Sequence, residues 1–587
     1  MKLQCKPIRR CALLFVFVIL LFTMGACAAD GALGDEIYIK LSDTGITVNG
    51  SPVSENETDA VYISHDIIYY EDRDTYDSGN AYGEGTKAER HSESEAAAHT
   101  VVNITAPGVY RLSGTLSAGQ IFVDLGKNAK SDPEAVVTLT FDNADITCMV
   151  APAVFFYRVY ECDRAWVAYD EDETDTVIYT PSAVQDTSES GAKVVIADGS
   201  VNNISGSHVA RIYKDNDAQK KLHKYDGAFY SRMSMTIDGE ADGTGVLNII
   251  ADNEGLDSEL HLTINGGKIN IQSQDDGINT NEDNVSVTTI NGGALHIVAG
   301  LGTEGDGIDS NGYLVINGGI IIAIGKPQSD SGLDSDSGSY INGGYVIATG
   351  STMDWAESDS DQVTMNLRFA AAQNADDAII VTDLEGNVVF AYDPDKDETT
   401  GSYNRGYQGA VLSCPELEVG ESYYVYIGGN VEGKETDGLY DASTVTGFSG
   451  AIRQQYTGTD VGMGGMFRPG GFGGGMGGDG APPEIFHDGM GEDRNRPDNP
   501  DEWKNWDKNG RGERDGDAEG NWGGFGGPDD GDDPMTEHHG KADRFNGPDF
   551  DMNDPANTDT MLPSVQFYMA DKVNAFSGVT DETDDAP

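Results

Sequence analysis

"TINGGKINIQSQDDGINT", Thr263–Thr280, holds two phrases that return along the chain. Ile-Asn-Gly-Gly begins at Ile264, Ile290, Ile316 and Ile341. Gly, then Leu or Ile, then Asp or Asn, then Ser or Thr begins at Gly255, Gly277, Gly307 and Gly332. The Asn of the first phrase recurs after 26, 26 and 25 residues. A fixed period in this range marks a solenoid, in which each repeat buries its apolar face against its neighbours.

Alternation within the repeat fixes the type. Ile269, Leu295, Ile321 and Val346 stand four residues after each Asn, and Ile271, Ile297, Ala323 and Ala348 two further on. The Ile before each Asn and the Leu or Ile of the second phrase (Leu256, Ile278, Ile308, Leu333) add two more columns. Apolar residues at period two point inward from strands. Short strands, no helical period and Gly at the corners predict an all-β fold, a right-handed parallel β-helix. The hand follows from the parallel-crossover rule.

The repeat proper runs from about Tyr225 to Gly350, and "YDGAFYSRMSMTIDG" (Tyr225–Gly239) echoes the next repeat upstream. The solenoid domain is expected over residues 37–360. It opens with a hairpin over Ile37–Ser54 and carries a polar insertion over 62–98. Strand-like text runs from Val101 with no long helical period. "ADDAIIVTDLEGNVVFAYDP" and "AVLSCPELEVGESYYVYIGG" read as antiparallel strands, so residues 361–450 are expected to cap the open end. From 461 to 587 the Gly-, Asp- and Pro-rich text cannot bury a core and is expected to be disordered. Within it, Met561–Ala570 is a short apolar island that reads either as a docking strand or as nothing.

The chain carries 99 Asp and Glu against 37 Lys and Arg, a formal charge of -62. That excludes a nucleic-acid binder and suits an exported protein meeting cations or neutral polymers. Lys2, Lys6, Arg9 and Arg10 followed by the apolar run Ala12–Phe22 form an export signal. Met24-Gly25-Ala26-Cys27 resembles a lipobox with Met where Leu is usual. Cys27 is the expected lipidation site, with ordinary cleavage near it as the alternative. A cell-surface lipoprotein or secreted protein follows. Cys148, Cys162 and Cys414 match no zinc spacing; a Cys148–Cys162 disulfide and buried free thiols stay equally open.

Chemistry concentrates in the second phrase. Asp257, Asn279, Asp309 and Asp334 each follow an inward residue and are expected to face outward. Glu254, Asp275, Asp276, Glu304, Asp306 and Asp336 lie around them, with Asp330. Carboxylates one strand apart repel by a little under about 1 kcal/mol in water, and by more where solvent is excluded. Between Met233 and Leu367 the only Lys or Arg residues are Lys268 and Lys326. Ca2+ accepts carboxylate and carbonyl oxygens and would neutralise such a face; a merely solvated acidic face is the alternative. Asn265, Asn291, Asn317 and Asn342 are expected to stack as a structural ladder. His261 and His296 are expected to be outward surface residues. Tyr313, Tyr340, Tyr345 and Trp355 are candidates for stacking on sugars, with Tyr345 exposed. Neither Lys268 nor Lys326 sits at a position suited to a lyase base, and a glycosidase pair within the acids stays open.

"ITAPGVYRLSGTLSAGQIFVDLG", "AVVTLTFDNADITC" and the coils that follow, in this order over Ile37–Gly350, resemble the bacterial carbohydrate-binding domain-containing proteins. The resemblance implies a calcium-containing right-handed β-helix, related in shape to pectate lyases. It implies binding of plant cell-wall-type polysaccharide without established catalysis. Family coils often carry Lys-Asp shortly after Asp-Gly-Ile; here Glu259, Asn281 and Asn311 stand there instead, and the insertion near Tyr69 is longer. The expected function is an exported, surface-anchored, calcium-stabilised, non-catalytic polysaccharide binder. The alternatives are a calcium-dependent polysaccharide lyase and an adhesin with a protein ligand.

Overall fold

The structure is a computed structural model. It describes residues 36–70, 90–171, 178–213, 221–327, 329–351, 354–374, 376–397, 406–461 and 563–583. Cys27, the export signal and residues 462–562 lie outside the described residues.

The chain is nearly all β. The INGG repeats stack their strands into three parallel ladders, and at the last repeat the third ladder is reduced to a single bridge between Ile308 and Leu333. One ladder runs through Met235–Gly239, His261–Ile264, Val287–Ile290, Tyr313–Ile316 and Gly338–Ile341. A second runs through Val246–Ala251, Lys268–Ser273, Ala294–Val298, Ile320–Ile324 and Tyr345–Gly350. A third runs through Val154–Arg158, Gly227–Ser231, Glu254–Ser258, Ile278–Thr280 and Ile308–Ser310. Upstream strands from Ile37 onward extend them, and Gly108–Leu116 and Val137–Thr147 join the first two.

All four apolar columns read from the repeats face inward into one core. The corner after each column is set by INGG. The second Gly adopts a left-handed backbone, as at Gly293 (φ 90), and a Cβ there would lie 2.7 Å from the Gly267 carbonyl oxygen. Beside it the Asn side chains form a continuous chain of hydrogen bonds. Asn342 donates to Asn317 (2.9 Å), Asn317 to Asn291 (2.9 Å) and Asn291 to Asn265 (2.8 Å). Asn265 in turn donates to Asp238 Oδ1 at 2.8 Å. A second chain on the second ladder has the same polarity: Asn270 donates to Asn248, Asn248 to Asn203, and Asn203 to Asp145. Each chain ends on a carboxylate, which accepts and has nothing to donate.

Outward from a strand is not always outward to solvent. His261 and His296, expected on the surface, are each 1% exposed. His261 is covered by residues 159–169, which take in the start of the short helix Arg164–Glu171, and by residues 178–190. Its Nδ1 accepts the Val287 N–H (3.1 Å), so its Nε2–H faces Asp163 Oδ2 (3.3 Å). Tyr179 donates to that same oxygen (2.9 Å). Thr187 and Thr263 hydroxyls meet at 2.6 Å further along the same cover.

The C-terminal strands cap the stack and also lie against its flank. Tyr407–Ser413 pairs antiparallel with Tyr345–Gly350 and continues the second ladder. Ile322 and Ile347, outward on that ladder, join the core of the C-terminal unit. The unit also reaches further than 450. Gly458–Val461 and Thr364–Gln373 flank Val573–Asp581, which lies between them. Residues 563–583 therefore do not belong to a disordered tail. Phe567, Met569, Val573, Phe576 and Val579 bury enough apolar surface to fold the chain end back onto the sheet.

The insertion is structured at its described ends. Val61–Ser64 pairs antiparallel with Thr100–Ile104, and Ile67, Ile68 and Tyr70 are buried. Ser92 closes a capping box on Glu93–Ala96. Cys148, Cys162 and Cys414 are free thiols, which removes the disulfide alternative.

Candidate functional site: an acid row and a tyrosine shelf

The third ladder carries a single outward row: Asn103, Phe122, Phe155, Tyr230, Asp257, Asn279 and Asp309. Its first half is aromatic. Phe155 meets Phe122 at 5.3 Å and Tyr230 at 5.2 Å, both edge-on, and all three are buried. Its second half is the acid column of the repeats. Asp257 is 0% exposed, contrary to the expectation of an open acidic face, and Glu254 and Asn279 are buried with it. Asp275, Asp276, Asp306, Asp309 and Asp334 are half-buried, while Glu304 and Asp336 are exposed.

Polar contacts knit part of the set together. Asn279 Nδ2 donates to Glu254 Oε1 (2.9 Å) and lies 3.4 Å from Asp276 Oδ2. Asp276 Oδ1 accepts the Asp306 N–H at 2.7 Å, and Asp306 Oδ1 accepts the Ser331 N–H. Asn281 donates to Asp257, and Asp330 accepts the Gly305 N–H. Burial pushes Asp306 up to about 9, with Asp276, Asp334 and Asp330 adding repulsion. Burial, then Asp309, Glu254 and Asp275, hold Asp276 well above the usual carboxylate range. Asn279 Oδ1 is buried without a hydrogen-bond partner. Among the described residues no three His, Cys, Asp or Glu side chains close to metal-holding distance. Any cation shell here would need amide and carbonyl oxygens as well as carboxylates.

Both lysines of the repeats are committed elsewhere. Lys268 pairs with Asp437 (2.8 Å), and Lys326 donates to the Gly300 and Gly302 carbonyls. Neither contacts the acid row.

The four aromatic candidates part company. Tyr313 and Tyr340 are diagonal neighbours on the first ladder, with ring centroids 6.2 Å apart and both partly exposed. Burial first, then Asp359 and Glu357, holds the Tyr340 phenol above its usual range. Tyr345 is half-buried rather than exposed, because the C-terminal unit packs on it. Its hydroxyl donates to Glu416 at 2.8 Å. Trp355 packs against the main core. The tyrosine shelf begins where the cover formed by Asp163, Tyr179 and Thr187 stops: His261 and Thr263 lie beneath that cover, and Tyr313 and Tyr340 follow in the same two rows.

Sequence reasoning did not find Asn281, the aromatic half of the row or the second amide chain. The signal for Asn281 was its column, Glu259–Asn281–Asn311, two places after the acid. Glu259 holds the Tyr230 hydroxyl and Asn281 holds Asp257.

With a stack of parallel ladders bearing an acid row and an aromatic shelf, the chain has the makings of a polymer-binding surface. A family model for carbohydrate-binding domain-containing proteins matches residues 98–192 and 178–393, and the chain belongs to that family. One relative, a carbohydrate-binding domain-containing protein of Acetivibrio thermocellus, is 30% identical over 172 residues. That match covers 29% of this chain and 45% of the relative, so it spans less than half the relative's length. No solved structure matches.

Proposed function

We propose that this is an exported, surface-anchored, non-catalytic polysaccharide-binding protein built on a right-handed parallel β-helix. Family membership across the stacked repeats carries the binding reading. Three parallel ladders around one core support the helix, and the crossover rule supports its hand. The saccharide stacks on Tyr313 and Tyr340, the candidate rings that remain partly exposed and side by side. Plant cell-wall polysaccharide is the ligand class that the family resemblance implies. Cys27 carries the lipid anchor.

Calcium sits in the acid row. The donors fit a hard cation: carboxylates that repel one another around Asp276, and the buried Asn279 Oδ1. Glu254, Asp276 and Asn279 would hold it, with Asp306 and Asp309 beside them. Bound there, it would neutralise the row and lock adjacent repeats together. The absence of Lys268 and Lys326 from the row argues against a lyase base.

Retention on insoluble pectin or cellulose tests the binding reading. Wild type is expected to be retained, and a Tyr313→Ala/Tyr340→Ala double variant to lose about tenfold or more in affinity. Full retention of the double variant would sink the shelf. Unsaturated-uronate absorbance developing on polygalacturonate would overturn the non-catalytic reading.

A further inference from the structure

We propose that the C-terminal unit carries a second saccharide site, a tyrosine strip on its sheet that takes a neutral β-linked glucan. The strip is built on Ser422–Ile427, where alternate side chains part. Tyr423, Val425 and Ile427 enter the core of the unit. Tyr424 and Tyr426 point the other way and are partly exposed, about 7 Å apart along the strand. Two neighbouring strands add to the same face. Tyr568 stands opposite Ser422, which makes it the diagonal neighbour of Tyr424, and it is 52% exposed. Arg453 stands opposite Tyr426, and its guanidinium lies over the Tyr424 ring, 5.0 Å from the centroid. Phe448 meets Tyr426 at 4.9 Å, at the end where a small apolar cluster around Ile380 covers the face.

The chemistry of the strip selects its occupant. Tyrosines on adjacent strands offer flat apolar surface to the C–H face of a pyranose, the diagonal arrangement also found at Tyr313 and Tyr340. The hydroxyls on the rim of the sugar need polar partners. Arg453 is held in a bidentate pair with Glu582, Nε at 2.8 Å and Nη2 at 2.6 Å, which fixes the guanidinium plane and leaves Nη1 outside the pair. Gln455, two residues on and on the same face of its strand, is 4% exposed, and its Oε1 has no hydrogen-bond partner. A guanidinium donor and an amide acceptor together complement a sugar hydroxyl, which both gives and accepts. With Arg453 balanced by Glu582 on a chain of charge -62, an acidic polymer is repelled and a neutral one is not. A pyranose whose substituents are all equatorial, as in a β-linked glucan, presents the flattest C–H face to such rings. The strip lies beyond residue 393, where the family match ends, and is separate from the shelf on the repeats.

The site rests on the reading of the chain as a polysaccharide binder, and retention of the full chain on insoluble cellulose separates the two. Tyr568→Ala, at the exposed end of the strip, is expected to weaken retention about threefold or more while the melting of the C-terminal unit stays unchanged. Tyr424→Ala/Tyr568→Ala should weaken it about tenfold or more, and Tyr424→Phe, which keeps the ring, should bind as wild type. In the Tyr313→Ala/Tyr340→Ala background, Tyr424→Ala/Tyr568→Ala should remove the retention that remains. Wild-type retention in both Tyr568→Ala and Tyr424→Ala/Tyr568→Ala would overturn the strip alone. A wild type held by pectin and not by cellulose would overturn the neutral-glucan assignment. A wild type held by neither would overturn the polysaccharide reading, and the strip with it.

Discussion

Asp306 carries the clearest stability consequence at the scale of single residues. Its folded value of about 9 stands far above the usual carboxylate range, with burial as the first cause. The folded chain therefore holds a proton that the unfolded chain has released. Stability in chelator should be fully present below about pH 4 and be lost as pH rises toward about 9. Thermal melts in EDTA at several pH values check the sign, and a melting temperature that climbs over that range would contradict it. Asp306→Asn mimics the protonated acid and should flatten the slope, adding about 1–3 kcal/mol at pH 8 without metal. The amide chains give a sharper contrast. Asn317→Asp sets a carboxylate against Asn291 Oδ1 and should cost about 1–3 kcal/mol. Asp238→Asn keeps the acceptor that Asn265 needs and should cost little. Urea titration of the two variants compares them directly, and equal losses would show that direction along the chain is immaterial.

Strands and their covers mark the line between what the sequence discloses and what it conceals. Inward columns were legible because period-two apolarity fixes which way a strand residue faces its own sheet. The Asn chain was legible because one residue type recurs at one corner. His261 and His296 were misplaced for a single physical reason. Whether the far side of a strand meets water depends on chain from elsewhere, and the stretches around Asp163 and Tyr179, Asp397 and Asp437 have no periodicity pointing to where they dock. The cation candidates inherit the same problem, since repetition reveals the column but not the polar groups, such as Asn281, that orient it. Val573–Asp581 shows the cost of judging a segment by its neighbours: Phe567 and Phe576 lie 4.9 Å apart in a core with Tyr456. Removing residues 563–587 should unfold the C-terminal unit at lower temperature while leaving the INGG repeats folded. Phe576→Ala alone should cost that unit about 3–5 kcal/mol. Calorimetry resolves the two transitions, and an unchanged profile after truncation would rule out the strand's contribution.

For the molecule as a whole, a charge of -62 makes compactness expensive in dilute buffer. Raising monovalent salt from about 10 to about 150 mM should raise the melting temperature by screening the acids on the surface. Calcium at millimolar levels should raise it further than magnesium at the same ionic strength, because the smaller ion gives up its water reluctantly. Identical shifts from the two ions would reduce the effect to general screening and remove the calcium site. The amide chains bear on how such a molecule lengthens or shortens over generations. A stack of near-identical layers has no inherent beginning, but a relay in which every amide gives toward Asp238 or Asp145 supplies one. A duplicated layer can enter anywhere downstream of those two acids, take what its neighbour gives and pass on the same. Inserted ahead of them, it would meet a group with nothing to offer. Heredity can thus change the length of this protein freely from one side only.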